Sequence, residues 1–222
     1  NGGVLTVESD TSSDKTQVNM GGREIVKTKA TATGTTLTGG EQIVEGVANE
    51  TTINDGGIQT VSANGEAIKT KINEGGTLTV NDNGKATDIV QNSGAALQTS
   101  TANGIEISGT HQYGTFSISG NLATNMLLEN GGNLRVLEGH RAEKIILDQE
   151  GGLLVNGTTS AVVVDEGGEL LVYPGGEASN CEINQGGVFM LAGKASDTLL
   201  AGGTMNNLGG EDSDTIVENG SI

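Results

Sequence analysis

Apolar residues recur at every second position in short runs along this chain, and nearly every run opens on a glycine pair. "GGVLTV" begins at Gly2, "GGREIV" at Gly21, "GGEQIV" at Gly39, "GGIQTV" at Gly56, "GGTLTV" at Gly75 and "GAALQT" at Gly94. The series continues with "YGTFSI" at Tyr113, "GGNLRV" at Gly131, "GGLLVN" at Gly151, "GGELLV" at Gly167, "GGVFML" at Gly186 and "GGTMNN" at Gly202. Twelve units thus follow one another about every 16–20 residues, in the range of solenoid repeats. Within "GGTLTV", Leu78 and Val80 take one face while Thr77 and Thr79 take the other. This is the period of a strand, not of a helix.

Each unit carries a second anchor at a matched offset. "VANETTIND" holds Ala48, Thr51 and Ile53; "EAIKTKINE" holds Ala67, Thr70 and Ile72; "EASNCEINQ" holds Ala178, Cys181 and Ile183. A unit therefore reads as strand, turn, short strand, turn. That suits one coil of a parallel β-helix, in which each strand pairs with its equivalent in the next coil. About twelve coils of roughly 19 residues, at about 4.8 Å each, predict a rod of roughly 55–60 Å. The whole of 1–222 reads as one elongated β-helix. Its coils are more polar over 1–93 and more apolar over 115–222, with a bend or protruding loop expected within 94–114, where "SGTHQYG" is longer than equivalent turns.

Composition explains why no ordinary globular core is expected. Hydrophobic residues make up 34% and aromatics 2%, while glycine numbers 37. By itself this suggests disorder, but a disordered tail has no use for a twelvefold register. A narrow solenoid needs one thin column of apolar side chains, and glycine permits positive φ and close approach between coils. The first inward column runs Leu5, Glu24, Gln42, Gln59, Leu78, Leu97, Phe116, Leu134, Leu154, Leu170, Phe189, Met205. The next runs through Val7, Val26, Val44, Val61 and Val80 to Val136, Asn156, Val172 and Leu191. Gln42 and Gln59 interrupt an apolar column on successive coils, which predicts a stacked amide ladder; the alternative is a register shift turning them outward. The stronger apolar columns place the highest stability between about Leu97 and Leu200.

The net charge of −17 argues against nucleic acid or an anionic membrane surface as the main partner. No segment is apolar enough for a membrane helix, and no initiating Met or signal peptide is seen, so the chain reads as an internal fragment. One cysteine, Cys181, excludes an internal disulfide; it occupies an inward slot as a small hydrophobe. With His111 and His140 it makes no zinc cluster, and both histidines read as surface residues in turns. No cofactor is expected. The acid pairs Asp148 and Glu150, Asp165 and Glu166, Glu211 and Asp212 resemble glycosidase carboxylates only in number. They recur at coil corners and read as a solubilising ladder, so no catalytic residue is assigned.

The repeats "GGEQIVEGVANETTINDGGIQTV" and "NGGNLRVLEGHRAEKIILDQEGGLLV" resemble the passenger repeats of AIDA-type self-associating autotransporter adhesins, over nearly the whole chain. The resemblance implies an all-β, right-handed parallel β-helix held at the Gram-negative cell surface. A C-terminal barrel, not present here, would anchor it, and this fragment would make no direct membrane contact. It further implies autoaggregation and biofilm growth through another copy on a neighbouring cell, and O-linked heptose in several members. Competing readings are an adhesin for a host protein or glycan, a polysaccharide-degrading β-helix, and a pure spacer.

The contact residues are inferred from the columns. Two and four residues after the alanine slot, the first coils carry a polar face with Thr36, Glu50, Thr52, Lys69, Lys71 and Asp88. An antiparallel two-fold pair with its axis between the Glu50 and Lys69 coils would set Glu50 against lysines of a second copy. In the later coils the same slot holds Leu127, Ile146, Val163, Leu199 and Ile216, broken by Glu182. This predicts an exposed apolar stripe that is either an interaction face or covered by segments outside the fragment; the plain alternative is a strand with flipped alternation.

Overall fold

The computed structural model describes residues 2–219. It is built of strands and turns, with no helix among the described residues. The chain forms two compact units, one ending at Gly120 and the other beginning at Asn121. Each winds as a parallel β-solenoid.

In the first unit, Val4–Val7, Arg23–Val26, Glu41–Val44, Ile58–Val61, Thr77–Val80 and Ala96–Ser100 stack in parallel register. In the second, Asn133–Val136, Gly152–Val155, Glu169–Val172, Val188–Leu191 and Thr204–Asn207 do the same. These are eleven strands, not the twelve that the repeat count predicts. The difference is "YGTFSI". Gly114–Ser119 turns back antiparallel on Glu106–His111, with Ile107 opposite Ile118. Tyr113 replaces the first glycine of the pair, and the chain forms a hairpin where a corner would otherwise begin a coil. The hairpin occupies Glu106–His111 and Gly114–Ser119, while Ala96–Ser100 stacks regularly.

The second half of a coil turns at a corner, which lies between two short strands in most coils and within one continuous strand in Lys85–Gln91, Arg141–Leu147 and Thr158–Val164. The corner residue is left-handed: Lys15 (φ 53), Gly34 (φ 70), Glu50 (φ 56), Lys69 (φ 57) and Asp88 (φ 55) in the first unit. A non-glycine residue there costs roughly 1–2 kcal/mol. Hydrogen bonds between coils offset it: Glu50 N–H donates to the Ile68 carbonyl and Lys69 N–H to the Thr87 carbonyl, both at 2.9 Å.

The inward columns are closed to solvent in the regular coils. Val26, Val44, Val61, Leu78, Leu97, Leu134, Leu170 and Phe189 are fully buried, as are Ala48, Ala67, Ile53 and Ile72 of the second anchor. Leu5, in the first described coil, stays 43% exposed. The amide ladder is present. Gln59 Nε2 donates to Gln42 Oε1 at 2.7 Å, and Gln42 Nε2 to Glu24 Oε2 at 2.8 Å. Across the narrow interior Thr70, Thr51 and Thr35 donate to Gln59, Gln42 and Glu24 in turn, and Ser13 donates to the other Glu24 oxygen. Buried polar atoms are tolerated here because they satisfy one another. Gln91, in an otherwise aliphatic slot, is buried and donates from Nε2 to the Ala95 carbonyl at 3.5 Å.

The two glycines of a pair do different work. Gly56 adopts φ 72. A methyl group on Gly57 would instead sit 2.9 Å from the Leu37 carbonyl oxygen of the preceding coil. In one coil the pair is displaced by a residue. Glu150 (φ 69) takes the left-handed position, Gly151 the close approach, and Gly152 opens the strand. Leu153 and Val155 therefore point inward, fully buried, where sequence alignment on the glycines selects Leu154 and Asn156. Both of those lie half-buried on the outer side.

Candidate interaction surface

The proposed contact residues fall on two neighbouring columns of the first unit. Gln17, Thr36, Thr52, Lys71 and Val90 are register partners along the short strand after the corner. Lys15, Gly34, Glu50, Lys69 and Asp88 are the corner column itself. The structure thus brings Thr36, Glu50, Thr52, Lys69, Lys71 and Asp88 together on successive coils. Glu50, Lys69, Lys71 and Asp88 are exposed, while Thr36 and Thr52 are half-buried. Glu50 already has a partner within the chain: Lys69 Nζ lies 4.0 Å from Glu50 Oε1, both side chains being more than 60% exposed. At that exposure the pair adds little to stability and is free to exchange partners.

The corner column reads plus, neutral, minus, plus, minus. A second column, in the second unit, repeats that order: Arg141, Thr158, Glu177, Lys194 and Glu211 are successive register partners. It borders a trough of about 600 Å³ whose outer hydroxyls are Ser160, Ser179, Ser196 and Ser213. The reading of the sequence passed over this column. Its signal was legible one residue before each alanine slot, in "RAE", "TTS", "EAS", "KAS" and "EDS".

The aliphatic stripe is a real column but not a bare one. Leu127 pairs with Ile146, Ile146 with Val163, Val163 with Glu182, Glu182 with Leu199, and Leu199 with Ile216. Leu127 is buried at 1% exposure; Ile146, Val163 and Leu199 are half-buried, and only Ile216 is open at 61%. Neighbouring coils stack in register and leave little of Leu127, and only part of Ile146, Val163 and Leu199, open to solvent. The alternation does not flip, since Ile145 and Leu147 on either side of Ile146 are fully buried.

The corner acids and amides form hydrogen-bonded ladders. Asn73 Nδ2 donates to Asn54 Oδ1 and Asn92 Nδ2 to Asn73 Oδ1, both at 2.8 Å. Asn184 Nδ2 donates to Asp165 Oδ1 at 2.7 Å. Among the described residues no three His, Cys, Asp or Glu side chains gather as a metal site requires. His111 is not a surface residue. It is buried, stacks on Phe116 at 5.5 Å, and accepts the Tyr113 N–H at Nδ1. The hairpin folds it inward. His140 is half-buried in its turn.

Cys181 is buried, and burial pushes its thiol from 9.0 to about 12 against a smaller opposing hydrogen bond with the Val162 backbone. The folded-state value lies above the unfolded one. The protonated thiol therefore contributes stability fully below pH 9, and this is lost as pH rises toward 12. At pH 8 a disulfide reagent is expected to label Cys181 only on unfolding; rapid labelling of the folded chain would contradict this burial.

In each unit, stacked coils with a narrow buried interior and a mostly polar exterior define a parallel β-solenoid. The chain belongs to the family described as adhesin of bacterial autotransporter system, probable stalk, whose model matches residues 1–40, 42–103 and 108–168. It is 76% identical over 204 residues to the probable autotransporter YpjA of Escherichia coli K12, covering 92% of this chain and 13% of that protein. It is 84% identical over 101 residues to the protein YdhQ of the same strain, covering 46% and 24%. Against the autotransporter adhesin/invasin TibA of Escherichia coli O78:H11 it is 36% identical over 107 residues, covering 47% and 10%. The chain thus spans a minor part of each of these relatives. A crystal structure of a TibC-catalyzed hyper-glycosylated TibA fragment matches with a TM-score of 0.49 at 27% identity, over 99% of this chain and 90% of that one.

Proposed function

We propose that this chain is part of an autotransporter passenger at the Gram-negative cell surface. It binds another copy of itself on a neighbouring cell, driving autoaggregation and biofilm growth, and works as a binding surface without catalysis. The observation that carries this reading is the sign order of the corner column. Turned about a two-fold axis between the Glu50 and Lys69 coils, the column meets its own complement. Glu50 faces Lys69 of a second copy, Lys69 faces the second Glu50, and Gly34 makes room for Asp88. Thr52 and Lys71 meet in the same way one column over. The second unit's column is self-complementary about an axis between Glu177 and Lys194.

Each exposed pair is worth about 0–1 kcal/mol. Many copies in parallel multiply such contacts into adhesion between cells. The test is a display assay on otherwise non-adherent cells. Lys69→Glu with Lys71→Glu is expected to cut aggregation severalfold. Adding Glu50→Lys to Lys69→Glu should restore much of it, because the exchanged column is again self-complementary. Full aggregation by the double-glutamate cells would sink the face, and surface binding without clumping would sink self-association.

A further inference from the structure

The displaced glycine pair leaves a hollow on the outside of the second unit. In the other first-sheet strands there, the opening residue carries a side chain: Asn133, Glu169, Val188 and Thr204. Here it is Gly152, held in register between Asn133 and Glu169. A β-carbon on Gly152 would meet only Asn133 Cβ, at an ordinary 3.8 Å. The missing side chain opens a space of about 340 Å³. Gly151 and Gly152, the leucines Leu154 and Leu171, and the carboxylates of Glu150 and Glu169 line it. Both glutamates are exposed, and neither belongs to an ion pair found among the described residues.

The geometry points to an arginine side chain of a basic partner as the occupant of this hollow. A carboxylate accepts two parallel N–H bonds from one planar guanidinium. The methylene stem of arginine lies well on aliphatic surface while its head stays among polar groups. A bare metal ion would make no use of the two leucines, and a neutral apolar group none of the two carboxylates. Lysine offers a point charge and no planar fork. The net charge of −17 draws a basic partner toward the whole surface.

The test is a titration of the folded chain, followed by the leucine methyl NMR signals, with N-acetyl-arginine methylamide as probe. The uncharged citrulline analogue and magnesium chloride are the controls. The arginine probe is expected to shift the Leu154 and Leu171 methyls saturably, and the citrulline analogue to bind at least tenfold more weakly. Gly152→Asn, which installs the side chain carried by its register neighbour Asn133, should abolish the shifts while Leu153 and Val155 keep their signals. Glu169→Gln, which leaves the backbone untouched, should weaken binding severalfold. An unsaturable response, an equal response to citrulline or magnesium, or unchanged binding in Gly152→Asn would overturn the assignment. The readout is binding to a single copy and is indifferent to whether copies aggregate.

Discussion

Gln42→Leu is expected to lower the stability of the first unit by about 3–5 kcal/mol. Gln42 makes three buried hydrogen bonds at once. It donates to Glu24 and accepts from Gln59 and Thr51. Leucine fills similar space, yet it strands the Gln59 amide and the Thr51 hydroxyl and takes one donor from Glu24. Each stranded buried group costs about 1–3 kcal/mol. Replacing the whole network should behave differently. With Glu24, Gln42 and Gln59 changed to leucine and Thr35, Thr51 and Thr70 to valine, no buried polar group of the ladder is left facing an apolar one except Ser13. Most of the lost stability should then return, because a buried polar network is seldom more stable than well-packed apolar residues of similar volume. Urea melts of the two variants decide the matter. A single mutant as stable as the parent, or a full replacement worse than the single mutant, contradicts this account.

Gly65→Ala is the second large effect. Gly65 has no positive φ, so alanine is not excluded by its backbone dihedrals. The obstacle is the preceding coil: the added methyl would run into the Val44 carbonyl oxygen. That oxygen belongs to the inter-coil ladder, accepting the Ser62 N–H at 2.9 Å. Relief requires the coils to part, at about 3 kcal/mol or more. Gly131→Ala provides the contrast. Gly131 has φ 86 and open space around its Cα, so only left-handed strain of roughly 1–2 kcal/mol applies. Hydrogen exchange should show the coils beside Gly65 opening as a group in Gly65→Ala and a smaller increase in opening, confined to the coil of Gly131, in Gly131→Ala. Equal effects of the two substitutions would refute the division of labour between the glycines.

Much of this was legible in the chain because a solenoid repeats its own evidence. Leu78, Val80, Ala67 and Ile72 could be turned inward from period two alone, since the same choice recurs in coil after coil. The polar ladder was legible for the same reason: Gln42 and Gln59 interrupt one column on adjacent coils. What failed were single positions that break the repeat. Alignment of the glycines as a pair selects Leu154 and Asn156 as inward; between the coils it is Glu150 that takes φ 69, its N–H donating to the Gly167 carbonyl at 3.0 Å. His111 looks like a lone surface residue in the sequence because its partners Phe116 and Tyr113 depend on an antiparallel hairpin that no other unit contains among the described residues.

The same division holds for the interaction surface. The order of signs along Lys15, Gly34, Glu50, Lys69 and Asp88 is a property of the sequence, and so is its echo along Arg141, Thr158, Glu177, Lys194 and Glu211. Neither is a column until the inter-coil hydrogen bonds bring residues 16–19 apart into contact. The sequence by itself determined the strand period, the solenoid class and which side chains are buried in the regular coils, because burying every second residue admits one register per repeat. The tertiary structure alone decided the number of coils, the left-handed corner in the second half of a coil, the burial of Leu127 and the hollow at Gly152. These depend on backbone approach between neighbouring coils, where a carbonyl oxygen and a missing β-carbon outweigh any pattern of apolar residues.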